Sequence, residues 1–142
     1  MKIFDCFMYF DEDLLLDLRL NYLNSYVDKF VIVESNYAHS GKKRNLNFDI
    51  DNFKKFKNKI TYLVFDQEPS GIANFDNKDH MDITNSKYFL NAAKRENSQR
   101  NYILDGLKDA EPNDMILISD LDEIPNLEQN NLNKINNKLI FF

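Results

Sequence analysis

The chain is predicted to form one α/β domain built on a mostly parallel sheet with helices on both faces. Three observations predict it. Continuous apolar runs such as Phe30-Val31-Ile32-Val33 suit strands buried on both sides. Stretches with apolar residues at helical spacing separate those runs. The resulting order is strand, helix, strand, helix, strand, helix, strand, and right-handed crossovers make such strands parallel. Ligands of these sheets sit beyond the carboxyl ends of the strands, here Phe10-Asp11, Glu34-Ser35 and Ser119-Asp120.

Each element has a local cause. Ile3 to Phe10 is apolar and aromatic, a buried strand. Asp11 to Asp13 offer acidic side chains to the free N–H groups of a helix start. Leu14, Leu15, Leu18 and Tyr22 follow at helical spacing, so a helix is expected from Asp13 to about Tyr26. Lys29 to Glu34 is a β-branched second strand that ends on Glu34-Ser35. Gly41 and the basic group Lys42-Lys43-Arg44 place a loop over Tyr37 to Asn47. Phe48 to Phe56 fits a short helix, and Lys59 to Phe65 a third strand. Asp66 to about Asn85, polar and with Pro69 and Gly71, is a long loop or weakly structured. Ser86 to Lys108 carries Tyr88, Phe89, Ala92, Ala93, Ile103 and Leu107 broadly at helical spacing, in one helix or two. Met115 to Ser119 is a fourth strand running into carboxylates. After the Asn-rich stretch Asn130 to Asn137, Lys138 to Phe142 is apolar and expected to be a last strand. A doubly wound sheet that stops there would be C-terminally truncated, and its open edge would suit a homodimer.

At 142 residues the chain suits one domain or half of a larger enzyme, and 43% hydrophobic content suffices for a packed core. The net charge of −5 argues against a general nucleic-acid binder, which needs a basic face. The lone cysteine, Cys6, excludes an internal disulfide framework and a Cys-based zinc cluster; in its apolar run it is expected to be a small buried residue. No apolar leader or run of bilayer length occurs, so a cytoplasmic location is the default expectation.

Ile116-Leu117-Ile118-Ser119-Asp120-Leu121-Asp122-Glu123-Ile124-Pro125 is the most informative stretch. An apolar strand fixes the backbone, and the acidic residues follow where it leaves the sheet. Crowded carboxylates in a dry cleft repel one another, and a hard divalent cation removes that repulsion while offering open positions to phosphate oxygens. The plainer reading is a solvated acidic turn. A second enzymatic reading is a phosphatase of the haloacid-dehalogenase type, whose first Asp of Asp-x-Asp-x-Thr or Val attacks phosphorus. Ile124 stands at that last position here, and such motifs lie on an early strand, whereas three strands precede this one.

Four segments together resemble glycosyltransferase family 17, the bisecting β-1,4-N-acetylglucosaminyltransferases and their bacterial relatives. They are Phe4-Asp5-Cys6-Phe7 with Glu12-Asp13-Leu14-Leu15 and Leu18-Arg19-Leu20-Asn21-Tyr22-Leu23; Val27 to Ser35; Arg95-Glu96 with Gln99-Arg100-Asn101; and Ile118 to Pro125. The resemblance implies a GT-A-like fold with a Rossmann-type sheet. It implies inverting transfer of a sugar, N-acetylglucosamine-like, from a nucleoside-diphosphate donor such as UDP-N-acetylglucosamine to a glycan hydroxyl. It further implies dependence on Mn²⁺ or Mg²⁺, with Asp120 and Asp122 holding the metal and the diphosphate, and Glu34 and Ser35 near the nucleoside. An acidic chain facing an anionic donor needs such a cation. Family members continue past the Asp-x-Asp segment into an acceptor-binding half, so the general base is expected outside this chain. A catalytically silent donor-binding or scaffolding module is the alternative.

Other charged residues have plainer readings beside functional ones. Glu96 and Arg100 are spaced i, i+4, which suits a surface ion pair. The family likeness adds the possibility that Arg95 or Arg100 faces the diphosphate or braces the acidic turn. Arg19, among leucines, is expected to snorkel to solvent. Lys42-Lys43-Arg44 reads as a solvated loop, or as a cover over an anionic donor. His39 and His80 lack a partner at metal-ligand spacing, and Tyr37 is a candidate to stack on a base or sugar.

Overall fold

The computed structural model describes residues 1–128, so the Asn-rich stretch and the expected last strand lie outside the described residues. In chain order come β1 (Ile3–Tyr9), α1 (Asp13–Leu23), β2 (Lys29–Ser35), a 3₁₀ segment (Ile50–Phe56), β3 (Ile60–Phe65), α2 (Met81–Asn101), a second 3₁₀ segment (Tyr102–Gly106) and β4 (Met115–Ile118). The four strands are all parallel and lie in the order β3-β2-β1-β4.

Strand alternation sends each face of the sheet to a different cover. Phe7, Tyr9, Phe30 and Ile32 pack with Leu16, Leu20 and Leu23 of α1 and with Phe53 and Phe56 of the first 3₁₀ segment. Phe4, Cys6, Val31 and Val33 pack on the other face with Ile103 of the second. Each such side chain withdrawn from water contributes about 1.5–3 kcal/mol before entropy is counted. Burial on both faces is the physical reason the central strand β2 reads as an unbroken apolar run from Phe30 to Val33.

Several boundaries differ from expectation. α1 stops at Leu23 rather than Tyr26, because the Tyr26 and Val27 amides both turn back to the Leu23 carbonyl. No side chain caps its start; the Glu12 carboxylate instead accepts the Phe10 and Asp11 amides, tying down the exit from β1. The expected helix to Phe56 is a kinked 3₁₀ segment, with Phe53 at φ −123° and Asp49 accepting the Asp51 amide. α2 begins at Met81, inside the expected loop, and runs straight into the second 3₁₀ segment.

The apolar residues of α2 are not core. Tyr88 and Phe89 are 48% and 70% exposed, and the helix is held by two buried amides instead. Gln99 Nε2 donates to the Val33 carbonyl at 3.0 Å, and Asn91 pairs both ways with the Ala73 backbone at 2.8 and 2.9 Å. Among the described residues no helix is long and apolar enough to cross a membrane.

Candidate functional site

The chain leaves β1 toward β2 on one side and returns to β4 on the other, so a crevice opens where the winding reverses. A cleft of about 380 Å³ lies there, lined by Tyr9 and Phe10 at the end of β1, Glu96 and Gln99 from α2, and Asp120 and Asp122 after β4. The end of β4 thus meets the end of β1, its parallel neighbour.

The acidic loop is built from both sides. Leu121 and Leu127 are buried in the α1-side core, anchoring its backbone. Asp120, with its side chain 53% exposed, pairs with Arg100 at 2.8 Å, and Arg100 also reaches Glu96 at 3.3 Å. The Glu123 carboxylate accepts the Asp120 amide at 3.1 Å. Asp122 is exposed and its carboxylate has no protein partner among the described residues. Of the two arginines singled out by sequence, Arg100 braces the acidic turn. Arg95 faces away, donating to Glu68 and to the His39 carbonyl.

Arg19 does not snorkel. Its side chain is fully buried, in a two-pronged ion pair with buried Asp5: Nε to Oδ2 at 2.9 Å and Nη2 to Oδ1 at 2.8 Å. Its Nη1 donates to the carbonyls of Asp120, Leu121 and Glu123 at 2.7, 3.0 and 3.2 Å, and its Nη2 to Ser119 Oγ at 2.7 Å. A polar residue facing the sheet exists at no tolerable cost unless so paired, and Asp5, in mid-strand, was the sequence signal for it.

Glu34 and Ser35 sit at the end of β2 but are committed within the chain. Fully buried Glu34 accepts the Asn47 and Phe48 amides at 2.7 and 3.1 Å and the Tyr62 hydroxyl at 2.8 Å, and pairs with Arg44 at 3.0 Å. Ser35 Oγ accepts the Tyr37 amide at 3.1 Å. Arg44, expected as part of a solvated loop or a lid, is pinned to the Ser35 carbonyl at 2.7 Å and lies over the Phe10 ring at 3.9 Å; Lys42 and Lys43 are exposed. Tyr37 carries Lys43 over its ring at 5.8 Å. These contacts brace the floor beside the cleft rather than line it. Asp120, Asp122 and Arg100 are brought together; Glu34, Ser35 and Arg95 stand apart from them.

The donor set suits a shared cation better than an enclosed one. Among the described residues no three His, Cys, Asp or Glu gather closely enough to cage a metal. Two carboxylates on an exposed loop are what Mg²⁺ or Mn²⁺ uses when ligand phosphates and water complete its shell. Asp120 and Asp122 fit that pattern.

Comparison with known proteins gives the family. The family model for glycosyltransferase family 17 matches residues 1–139. Similar proteins are the beta-1,4-mannosyl-glycoprotein 4-beta-N-acetylglucosaminyltransferases of Homo sapiens and Rattus norvegicus, each 29% identical over 115 residues. Each alignment covers 78% of this chain and 19% of the relative, so the chain spans about a fifth of their length. No solved structure matches it. An α/β sheet with its acidic loop at the switch point, matched by this family model over nearly its whole length, makes the chain a member of glycosyltransferase family 17.

Proposed function

We propose that this chain binds the donor of an inverting glycosyltransferase, a nucleoside-diphosphate sugar of the UDP-N-acetylglucosamine kind, for transfer of the sugar to a glycan hydroxyl. The supporting observation is the position of Asp120 and Asp122 on the lip of the switch-point cleft, with Arg100 at Asp120. Asp120 and Asp122 would hold Mn²⁺ or Mg²⁺ together with the diphosphate. Such an ion, when bound, offsets the charge of the leaving diphosphate. Arg100 adds a planar fork suited to phosphate oxygens and, without donor, keeps Asp120 neutralised. Phe10, 45% exposed at the cleft, gives an aromatic surface against which an uncharged part of the donor can pack.

The test is thermal unfolding with UDP and Mn²⁺, singly and together. A ligand at a hundred times its dissociation constant stabilises the native state by about 2.7 kcal/mol, several degrees in Tm for a chain of this size. The expected result is a rise with both ligands that exceeds the sum of the separate effects. Asp122→Asn should keep the unliganded Tm and lose about tenfold in UDP affinity with Mn²⁺ present; unchanged affinity would count against the assignment. No response to UDP at any Mn²⁺ concentration would point to a silent module.

A further inference from the structure

We propose that Arg19 is the positioning residue of the Asp120–Asp122 loop, a buried clamp that turns both carboxylates outward to the cleft; this rests on the donor-site reading above. Every polar hydrogen of its guanidinium is engaged. Two prongs hold Asp5 of β1, and the remaining donors go to one loop: the carbonyls of Asp120, Leu121 and Glu123 and the hydroxyl of Ser119. Ser119 Oγ in turn donates to the Glu123 carbonyl at 3.0 Å, closing the ring around the loop.

This wiring has a geometric consequence. Drawing the Asp120 and Leu121 carbonyls inward, with Leu121 only 6% exposed, leaves the side chains of Asp120 and Asp122 directed to the surface. Asp5 fixes the angle of the guanidinium, and the Phe7 ring supports it from 4.7 Å. The clamp also joins α1 and β1 to the loop after β4, the two sides of the winding reversal. A guanidinium alone among side chains can do this: it never loses its proton, and its planar fork presents five donors where an ammonium offers three on one atom.

Two variants and two readouts test it. Arg19→Lys keeps the charge but not the fork, and Ser119→Ala removes one strut while leaving the Asp5–Arg19 pair intact. Hydrogen exchange at the Asp120, Glu123 and Ile124 amides is measured against the β2 amides, which report global opening. Calorimetry then gives UDP affinity in saturating Mn²⁺. The expected result for Arg19→Lys is loop exchange at least tenfold faster relative to β2, with UDP bound at least fivefold more weakly; Ser119→Ala should move both in the same direction by less. Should Arg19→Lys fail to fold, Ser119→Ala decides. Unchanged loop exchange overturns the clamp, and a loosened loop with unchanged UDP affinity overturns its link to the site. Absence of UDP binding by the unmodified chain would overturn the donor-site reading instead, and the exchange rates would still decide whether Arg19 sets the loop.

Discussion

At the scale of single residues, charges that a sequence reading places on the surface or in the site turn out to hold the core to its loops. Glu34 is the clearest. Its two oxygens accept from two backbone amides, a tyrosine and an arginine, so the region from Arg44 to Phe48 hangs on one carboxylate. Glu34→Gln keeps the shape but turns an amide NH₂ toward donors, and it strands Arg44. The expected loss is about 3 kcal/mol in urea unfolding, since breaking a buried pair costs far more than its net worth. Cys6 behaves as its apolar run suggested. Burial first, and then the neighbouring Asp5 charge, push its thiol up to about 12 from 9.0. In the unfolded chain the thiol releases its proton near 9, so the native state holds more protons between there and 12 and stability falls across that window as pH rises. Cys6→Ala should make that alkaline slope shallower, most clearly between pH 9 and 10, below the range where Tyr9 and Tyr62, whose hydroxyls burial also pushes up, contribute their own; the native thiol should resist alkylation at pH 8 until urea exposes it.

At the scale of elements, continuous hydrophobicity was legible and amphipathicity was misleading. The four strands fall close to where their apolar runs place them; β1 and β2 are buried on both faces, and the edge strands β3 and β4 are only partly buried. α2 carries Tyr88 and Phe89 at helical spacing, yet these point to solvent and the docking is polar, through Asn91 and Gln99. Nothing in helical spacing distinguishes an amide that anchors from one that is solvated. The second 3₁₀ segment instead makes the close approach to the sheet, and Gly106 permits it: a Cβ there would meet Val31 Cγ1 at 2.4 Å. Gly106→Ala should therefore lower stability by about 1–3 kcal/mol through overpacking, read as a drop in Tm. A neutral result would mean that the 3₁₀ segment can lift away from β2 and β3.

At the scale of the whole molecule, parallel winding gathers the carboxyl ends of the strands along one edge, so the place of Asp120 and Asp122 in the fold could be read from the order of elements, while the strand order β3-β2-β1-β4 could not. The clamp beneath those carboxylates was not legible either, because Asp5, Arg19 and Ser119 lie up to 114 positions apart and meet only after the sheet is assembled. The central place of β1 has a consequence for how the molecule comes into being. The first strand made must lie between β2, which follows soon, and β4, whose register with it joins Ile3 to Met115. Closing so long a stretch of chain is slow and comes late. During that wait β1 presents a bare flank, and the acidic loop has no scaffold. Pulse-labelled refolding should show protection arising first across β1 and β2 and last at Ser119 and Glu123. A chain halted before residue 115 would hold three of the four strands, with an unpaired seam where its binding cleft belongs, vulnerable to pairing with a neighbour rather than with itself.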